Sequence, residues 1–126
     1  MLHHLSFAVE DLARSAKFYD AALAPLGYGR VWSDDTAVGY GTIEGQDKFA
    51  IRLRPDRQPP PRDGFHVAFS APSQEAAAAF YKAALAHGGQ DNGAPSLCPE
   101  YGPGYYAAFV IDPDGYRIEA VIIGAA

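Results

Sequence analysis

The chain contains itself twice. His4-Leu5-Ser6-Phe7-Ala8-Val9 returns as His66-Val67-Ala68-Phe69-Ser70-Ala71, and Phe18-Tyr19-Asp20-Ala21-Ala22-Leu23 returns as Phe80-Tyr81-Lys82-Ala83-Ala84-Leu85. Both echoes stand 62 residues apart, and the same offset carries Gly27 onto Gly89. Helix composition alone could produce the second match, because Ala and Leu are common. It does not produce a shared histidine at the head of the first. Solenoids need at least about three units to bury a continuous core, so two copies point to a closed, pseudo-symmetric pair.

Each copy reads as βαβββ. Residues 2–9 alternate and predict a strand; Asp11 can cap a helix over 12–24, where Leu12, Ala16, Tyr19 and Leu23 share a face. Pro25 and Gly27 end it, and residues 28–34, 36–43 and 48–54 read as short strands. A proline-rich linker covers 55–64. The second copy predicts a strand at 65–71, a helix at 73–87 capped by Ser73, a Gly/Pro-rich loop over 88–104 with only a weak strand signal near 91–98, and strands at 105–111 and 116–123. The last two flank Asp112-Pro113-Asp114-Gly115, which suits a type I turn. The expected organisation is a single α+β domain over 1–126, with unit one at 1–54, linker 55–64 and unit two at 65–126.

Composition removes several classes. The net charge of −5 and the lack of a basic stripe argue against a nucleic-acid partner. No apolar run approaches the roughly 20 residues of a membrane span, and the first residues lack the pattern of a secretory signal. A cytoplasmic protein is expected. The single cysteine, Cys98, excludes an internal disulfide and a cysteine-based metal cluster.

Strand alternation sorts the chemistry-bearing side chains. Leu5, Phe7 and Val9, and in the second copy Val67, Phe69 and Ala71, form packing faces. His4, Ser6 and Ala8, and His66, Ala68 and Ser70, face the other way, so each open face carries a histidine followed by small residues. In the last strand Tyr116, Ile118, Ala120 and Ile122 pack, which leaves Arg117, Glu119 and Val121 on the open side. A lone carboxylate in so apolar a run needs a partner or a cation. Two imidazoles and a carboxylate can ligate zinc or ferrous iron with positions left open. His3, at the chain start, and His87, at a helix C-terminus, receive no role.

These features resemble the vicinal oxygen chelate superfamily, which includes glyoxalases, bleomycin- and fosfomycin-resistance proteins and extradiol dioxygenases. The resemblance is carried by residues 4–15, Phe18-Tyr19, Leu26-Gly27, His66-Val67-Ala68-Phe69 and Asp112-Pro113-Asp114-Gly115-Tyr116-Arg117-Ile118-Glu119. It implies that the two units bend into an incomplete barrel around a ligand cleft, and it places the family's metal positions at His4, His66 and Glu119. It implies a divalent metal (zinc, iron, manganese or nickel) and a lyase, isomerase or dioxygenase acting on a small molecule with adjacent oxygens, with Glu119 or a water moving the proton. The alternative is a metal-free protein that binds or sequesters a small molecule. It also implies a homodimer, in which His4 joins His66 either of its own chain or of a partner.

Glyoxalase I enzymes of the superfamily add a glutamate on the last strand of unit one. Here the alternation of Phe49, Ile51 and Leu53 makes Arg52 the expected cleft-facing counterpart of Glu119, and a cation cannot ligate a metal. We expect Arg52 and Glu119 to meet across the cleft as a charge-assisted pair; the alternative leaves Glu119 free and has Arg52 bind a carboxylate or phosphate of the substrate. Substrate contacts are expected from Arg52, Arg117, Trp32, Tyr40, Tyr101, Tyr105 and Tyr106, and the 90–104 loop is expected to border the site mouth.

Overall fold

In the computed structural model, which describes residues 1–124, the two units fold alike. Unit one runs β1 (Leu5–Val9), α1 (Leu12–Leu23), β2 (Gly29–Ser33), β3 (Ala37–Gly41) and β4 (Phe49–Leu53). Unit two runs β5 (Val67–Ser70), α2 (Gln74–Ala86), β6 (Gln90–Leu97), β7 (Tyr105–Ile111) and β8 (Arg117–Ile123). Each builds a four-stranded mixed sheet, in the orders β1-β4-β3-β2 and β5-β8-β7-β6. In both, the first strand lies parallel to the last and the other pairs are antiparallel. Parallel pairing needs a crossover, and the helix begins it in each unit.

The helices start where side-chain oxygens satisfy free backbone N–H groups. Asp11 accepts from the amide of Arg14 at 3.0 Å, and Ser73 accepts from Ala76 at 3.0 Å. Beyond α1 the chain tightens into a 3-10 turn over Ala24–Leu26, where Pro25 brings no N–H to the ladder. Gly27 then takes φ 92°, a left-handed conformation that glycine adopts without steric cost.

The helix-facing sides of both sheets share one core. Phe7 stacks on Tyr116 with ring centroids 3.9 Å apart, and Phe49 meets Phe69 edge-on at 5.2 Å, so aromatic contacts join unit one to unit two. α1 packs on α2. Fully burying one such aromatic contributes about 1.5–3 kcal/mol, so this seam is a principal source of cohesion between the units.

The turn between β7 and β8 forms a second junction. Gly115 donates to the carbonyl of Asp112 at 3.0 Å, as the turn reading predicts. The carboxylates of that turn are buried and reach into unit one. Asp112 accepts from the Tyr19 hydroxyl of α1 and from the amides of Asp114 and Tyr116. Burial pushes the Asp112 carboxyl up to about 6, against the pull of these hydrogen bonds. Asp114 accepts from the Glu10 amide, the Ser15 hydroxyl and Arg14, and pairs with Arg57.

The expected loop at 88–104 is corrected in its first half. Residues Gln90–Leu97 form β6, an eight-residue edge strand on β7. Its register shifts twice, between Asp91 and Gly93 and between Gly93 and Ser96. Those bulges accommodate Gly93 and Pro95, the residues that make the segment read as a loop, and an edge position tolerates the missing proline N–H. Among the described residues no helix is long and apolar enough to cross a membrane.

Candidate functional site

Side chains directly opposite one another in a ladder lie on the same face. In unit two, Ala68, Glu119 and Phe109 therefore form one row across β5, β8 and β7 on the side away from the helix. That open face lines a cavity of about 540 Å³, with Arg62, Phe65, His66 and Asn92 around it and Tyr101, Tyr105 and Arg117 completing the wall.

Glu119 lies at the base and is 1% exposed, while the His66 side chain is 58% exposed. The carboxylate is engaged on both oxygens: His66 Nε2 stands 2.8 Å from Oε1, and the Tyr105 hydroxyl donates to Oε2 at 2.7 Å. Ala107, between Tyr105 and Phe109 on the same face, is small enough for the tyrosine to reach past it. Burial pushes the Tyr105 hydroxyl up to about 12, reinforced by its hydrogen bond to Glu119. It stays protonated, and a donor, throughout the physiological range. Tyr101 packs beside Tyr105 with ring centroids 5.2 Å apart. Histidine, carboxylate and phenol thus share one wall, the parts needed to hold and move a proton.

In unit one the matching row is Ser6, Ala50 and Gly39, with Trp32 opposite Gly39. The indole lies directly against the Gly39 backbone: a Cβ there would stand 2.3 Å from Trp32 Nε1. Trp32 Nε1 donates to Asp47 at 2.9 Å, and the Arg52 guanidinium carbon lies 5.8 Å from the ring centroid, within cation–π range. We expect Gly39→Ala to expel the indole and break its bond to Asp47, at a loss of about 1–3 kcal/mol. Trp32 is the single tryptophan of the chain, so its emission should shift to the red; an unchanged spectrum would contradict this packing.

The structure redistributes the residues singled out from sequence. Glu119, His66, Tyr101, Tyr105 and Arg117 gather around the unit-two cavity. Trp32 and Arg52 lie together on unit one. His4 is exposed, and its ring stands edge-on to His3 with Nδ1 atoms 2.8 Å apart. Tyr40 is corrected: at 1% exposure it belongs to the core, where its hydroxyl donates to Asp20 at 2.9 Å. Tyr106 is corrected likewise, because it alternates with Tyr105 and packs against the core. The expected pair between Arg52 and Glu119 does not form, since Glu119 is held by His66 and Tyr105.

Arg52 is also not the counterpart of Glu119. Glu119 pairs with Ala68 and Ala50 with Ser6, so the equivalent residue is Ala50, one row from Arg52. A methyl group stands where a fourth ligand would be. Arg62, Phe65, Asn92 and Phe109 were not singled out from sequence. Asn92 and Phe109 would have followed from a strand reading of 90–97 and from alternation along β7.

One imidazole and one carboxylate converge, and both types ligate divalent ions. Among the described residues, however, no three of His, Cys, Asp and Glu come close enough to hold a metal ion. Within one chain the donor set therefore fits in kind and is one ligand short.

The model of the glyoxalase/bleomycin resistance protein/dioxygenase superfamily matches residues 1–120. A glyoxalase/bleomycin resistance protein from Albidiferax ferrireducens is similar at 32% identity over 94% of each chain, with a TM-score of 0.78. A glyoxalase/bleomycin resistance protein/dioxygenase family enzyme from Burkholderia phytofirmans shares the fold at 16% identity, over 97% of this chain and 98% of that one, with a TM-score of 0.73. A bleomycin resistance determinant encoded on transposon Tn5 shares it at 20% identity over 94% of each chain, with a TM-score of 0.61. No curated protein matches the chain.

Proposed function

The chain belongs to the glyoxalase/bleomycin resistance protein/dioxygenase superfamily, and on that premise we propose that it is a glyoxalase-like small-molecule enzyme whose cleft is completed by a second copy of itself. The observation that carries this reading is the 2.8 Å contact of His66 with a buried Glu119 on the wall of an open cavity, while His4 is exposed just ahead of the first strand of unit one. Within the homodimer, the open face of unit one in one copy covers the open face of unit two in the other. His4 of a second copy then joins His66 and Glu119 as a three-residue ligand set for zinc, iron, manganese or nickel.

When bound there, the ion would supply Lewis acidity toward two adjacent oxygens of a substrate. The chain's own groups account for the remainder. Glu119, bracketed by His66 and Tyr105, is placed to accept a proton from a substrate carbon or hydroxyl at the cavity wall. Tyr105, held protonated by burial and by Glu119, can turn its hydroxyl toward a developing oxyanion once Glu119 has taken a proton. Phe109 and Tyr101 add aromatic surface to the same wall.

A second reading, a metal-free protein that sequesters its ligand, is favoured by one specific observation. Both oxygens of Glu119 already have partners, so the buried carboxylate needs no cation for its own satisfaction. Protein purified without chelator and supplemented with each of the four metals separates the two. The metal reading expects a dimer with about one ion per chain, and His4→Ala that keeps the dimer and loses the ion. A metal-free protein that binds ligand equally well in chelator upholds the second reading, and a metal-free monomer contradicts the metal reading.

A further inference from the structure

The arginines of the chain divide by location. Those against the helices and the unit junction are committed: Arg14 and Arg57 to Asp114, and Arg30 to Asp20, at 2.8–3.1 Å. Those on the open faces are not. Arg62 and Arg117 line the unit-two cavity, Arg52 lies over Trp32, and among the described residues none of the three has an ion-pair partner.

Acid is not scarce, with 15 Asp and Glu against 10 Lys and Arg. Three of the nearby carboxylates are otherwise engaged. Glu119 is held by His66 and Tyr105, and Asp47 by Trp32. Asp34 accepts from the Thr36 and Ala37 amides, which hold its carboxyl below the usual range, with the Arg52 charge a lesser contribution. Asp63 lines the cavity without pairing with either arginine. The guanidinium donors of the open faces are thus available to an anion from outside. Guanidinium forks match a carboxylate through two parallel N–H donors. Tyr101, Tyr105 and Phe109 line the same cavity as Arg62 and Arg117, with the two tyrosines 5.2 Å apart.

We propose that the ligand of this cleft is a small planar carboxylate, its anionic end held by Arg117 and Arg62, its flat part against Tyr105 and Phe109, with Arg52 of the facing unit as a further cation. The inference deepens the functional reading above and shares with it only the premise that the open faces line the ligand cleft; it does not depend on a metal. Arg117 and Arg62 are specificity-determining residues in this account, and Glu119 and His66 keep their separate role.

The test compares benzoate with benzamide, which share a ring and differ in charge. Calorimetry at low salt, in chelator so that no metal can bridge the carboxylate, gives the affinity ratio. We expect benzoate to bind about tenfold more tightly or better, as a charge-assisted contact provides. The double variant Arg62→Gln, Arg117→Gln should bring the ratio near unity with an unchanged melting temperature. Arg54→Gln, at an exposed arginine that donates to the carbonyl of Leu53, should leave the ratio as it is. Equal affinity for the two probes, or an equal loss in Arg54→Gln, overturns the proposal. A protein that shows the ratio but takes up no ion on metal supplementation upholds this inference and sinks the metal reading; one that takes up an ion but shows no ratio does the reverse.

Discussion

Replacing Asp114 with alanine is expected to lower the stability of the protein by about 3–5 kcal/mol, the range for removing one partner of a buried charge pair. The side chain is fully buried, accepts from the Glu10 amide at 3.0 Å, Ser15 Oγ at 2.7 Å and Arg14 at 3.0 Å, and forms an ion pair with Arg57 at 3.1 Å. Arg14 is 41% exposed and can turn to water. Arg57 is only 14% exposed, and its Nε already lacks a partner, so it would be left as a poorly compensated cation. Ser15 is fully buried on α1 and would lose its acceptor. The turn that bears Asp114 also ties unit two to the helix of unit one, so the loss falls on the association of the units as well as on the turn. Urea denaturation of the variant checks it: a midpoint shift equivalent to less than about 1 kcal/mol would show that the junction is dispensable.

The second large effect is on the site. Glu119→Gln keeps the shape of the side chain and removes its charge, so the fold should survive while divalent-ion affinity falls by more than about a hundredfold. That exceeds the 10- to 100-fold typical of losing a group that only orients a ligand. Competition against a chromophoric chelator measures it. A glutamine variant that holds the ion as tightly as the parent would remove Glu119 from the ligand set.

Much of this architecture is legible in the residue pattern because a duplication fixes two helices and two leading strands by one offset. α1 begins at Leu12 and α2 at Gln74, 62 residues on. The offset fails further along. Ala50 and Glu119 occupy equivalent places but stand 69 residues apart, seven more than the helices, because unit two inserts chain between its helix and its last strand. Alternation identifies the face of Arg52 correctly and cannot identify its row, which only cross-strand pairing sets. β6 is hidden for a similar reason: glycine and proline read as loop, and a bulged edge strand tolerates both. The burial of Asp112 and Asp114 has no local signal, since a turn of that composition is ordinarily exposed, and their partners lie about 100 residues away.

The placement of His4 is the point at which sequence and single-chain geometry diverge. The pattern sets it beside His66 and Glu119 as one ligand set, whereas within the described residues the three do not converge. The proposed shared cleft would reconcile the two, and a mixing experiment between His4→Ala and Glu119→Gln tests it most directly. Each variant alone lacks a ligand in every site. After subunit exchange, a mixed dimer carries one site with His4 from one copy and His66 and Glu119 from the other, and one site lacking both. Random exchange makes about half the dimers mixed, so the account predicts recovery of about one-quarter of the wild-type metal content. No recovery in a fully exchanged mixture would contradict it, because a site confined to one chain cannot be restored by a partner.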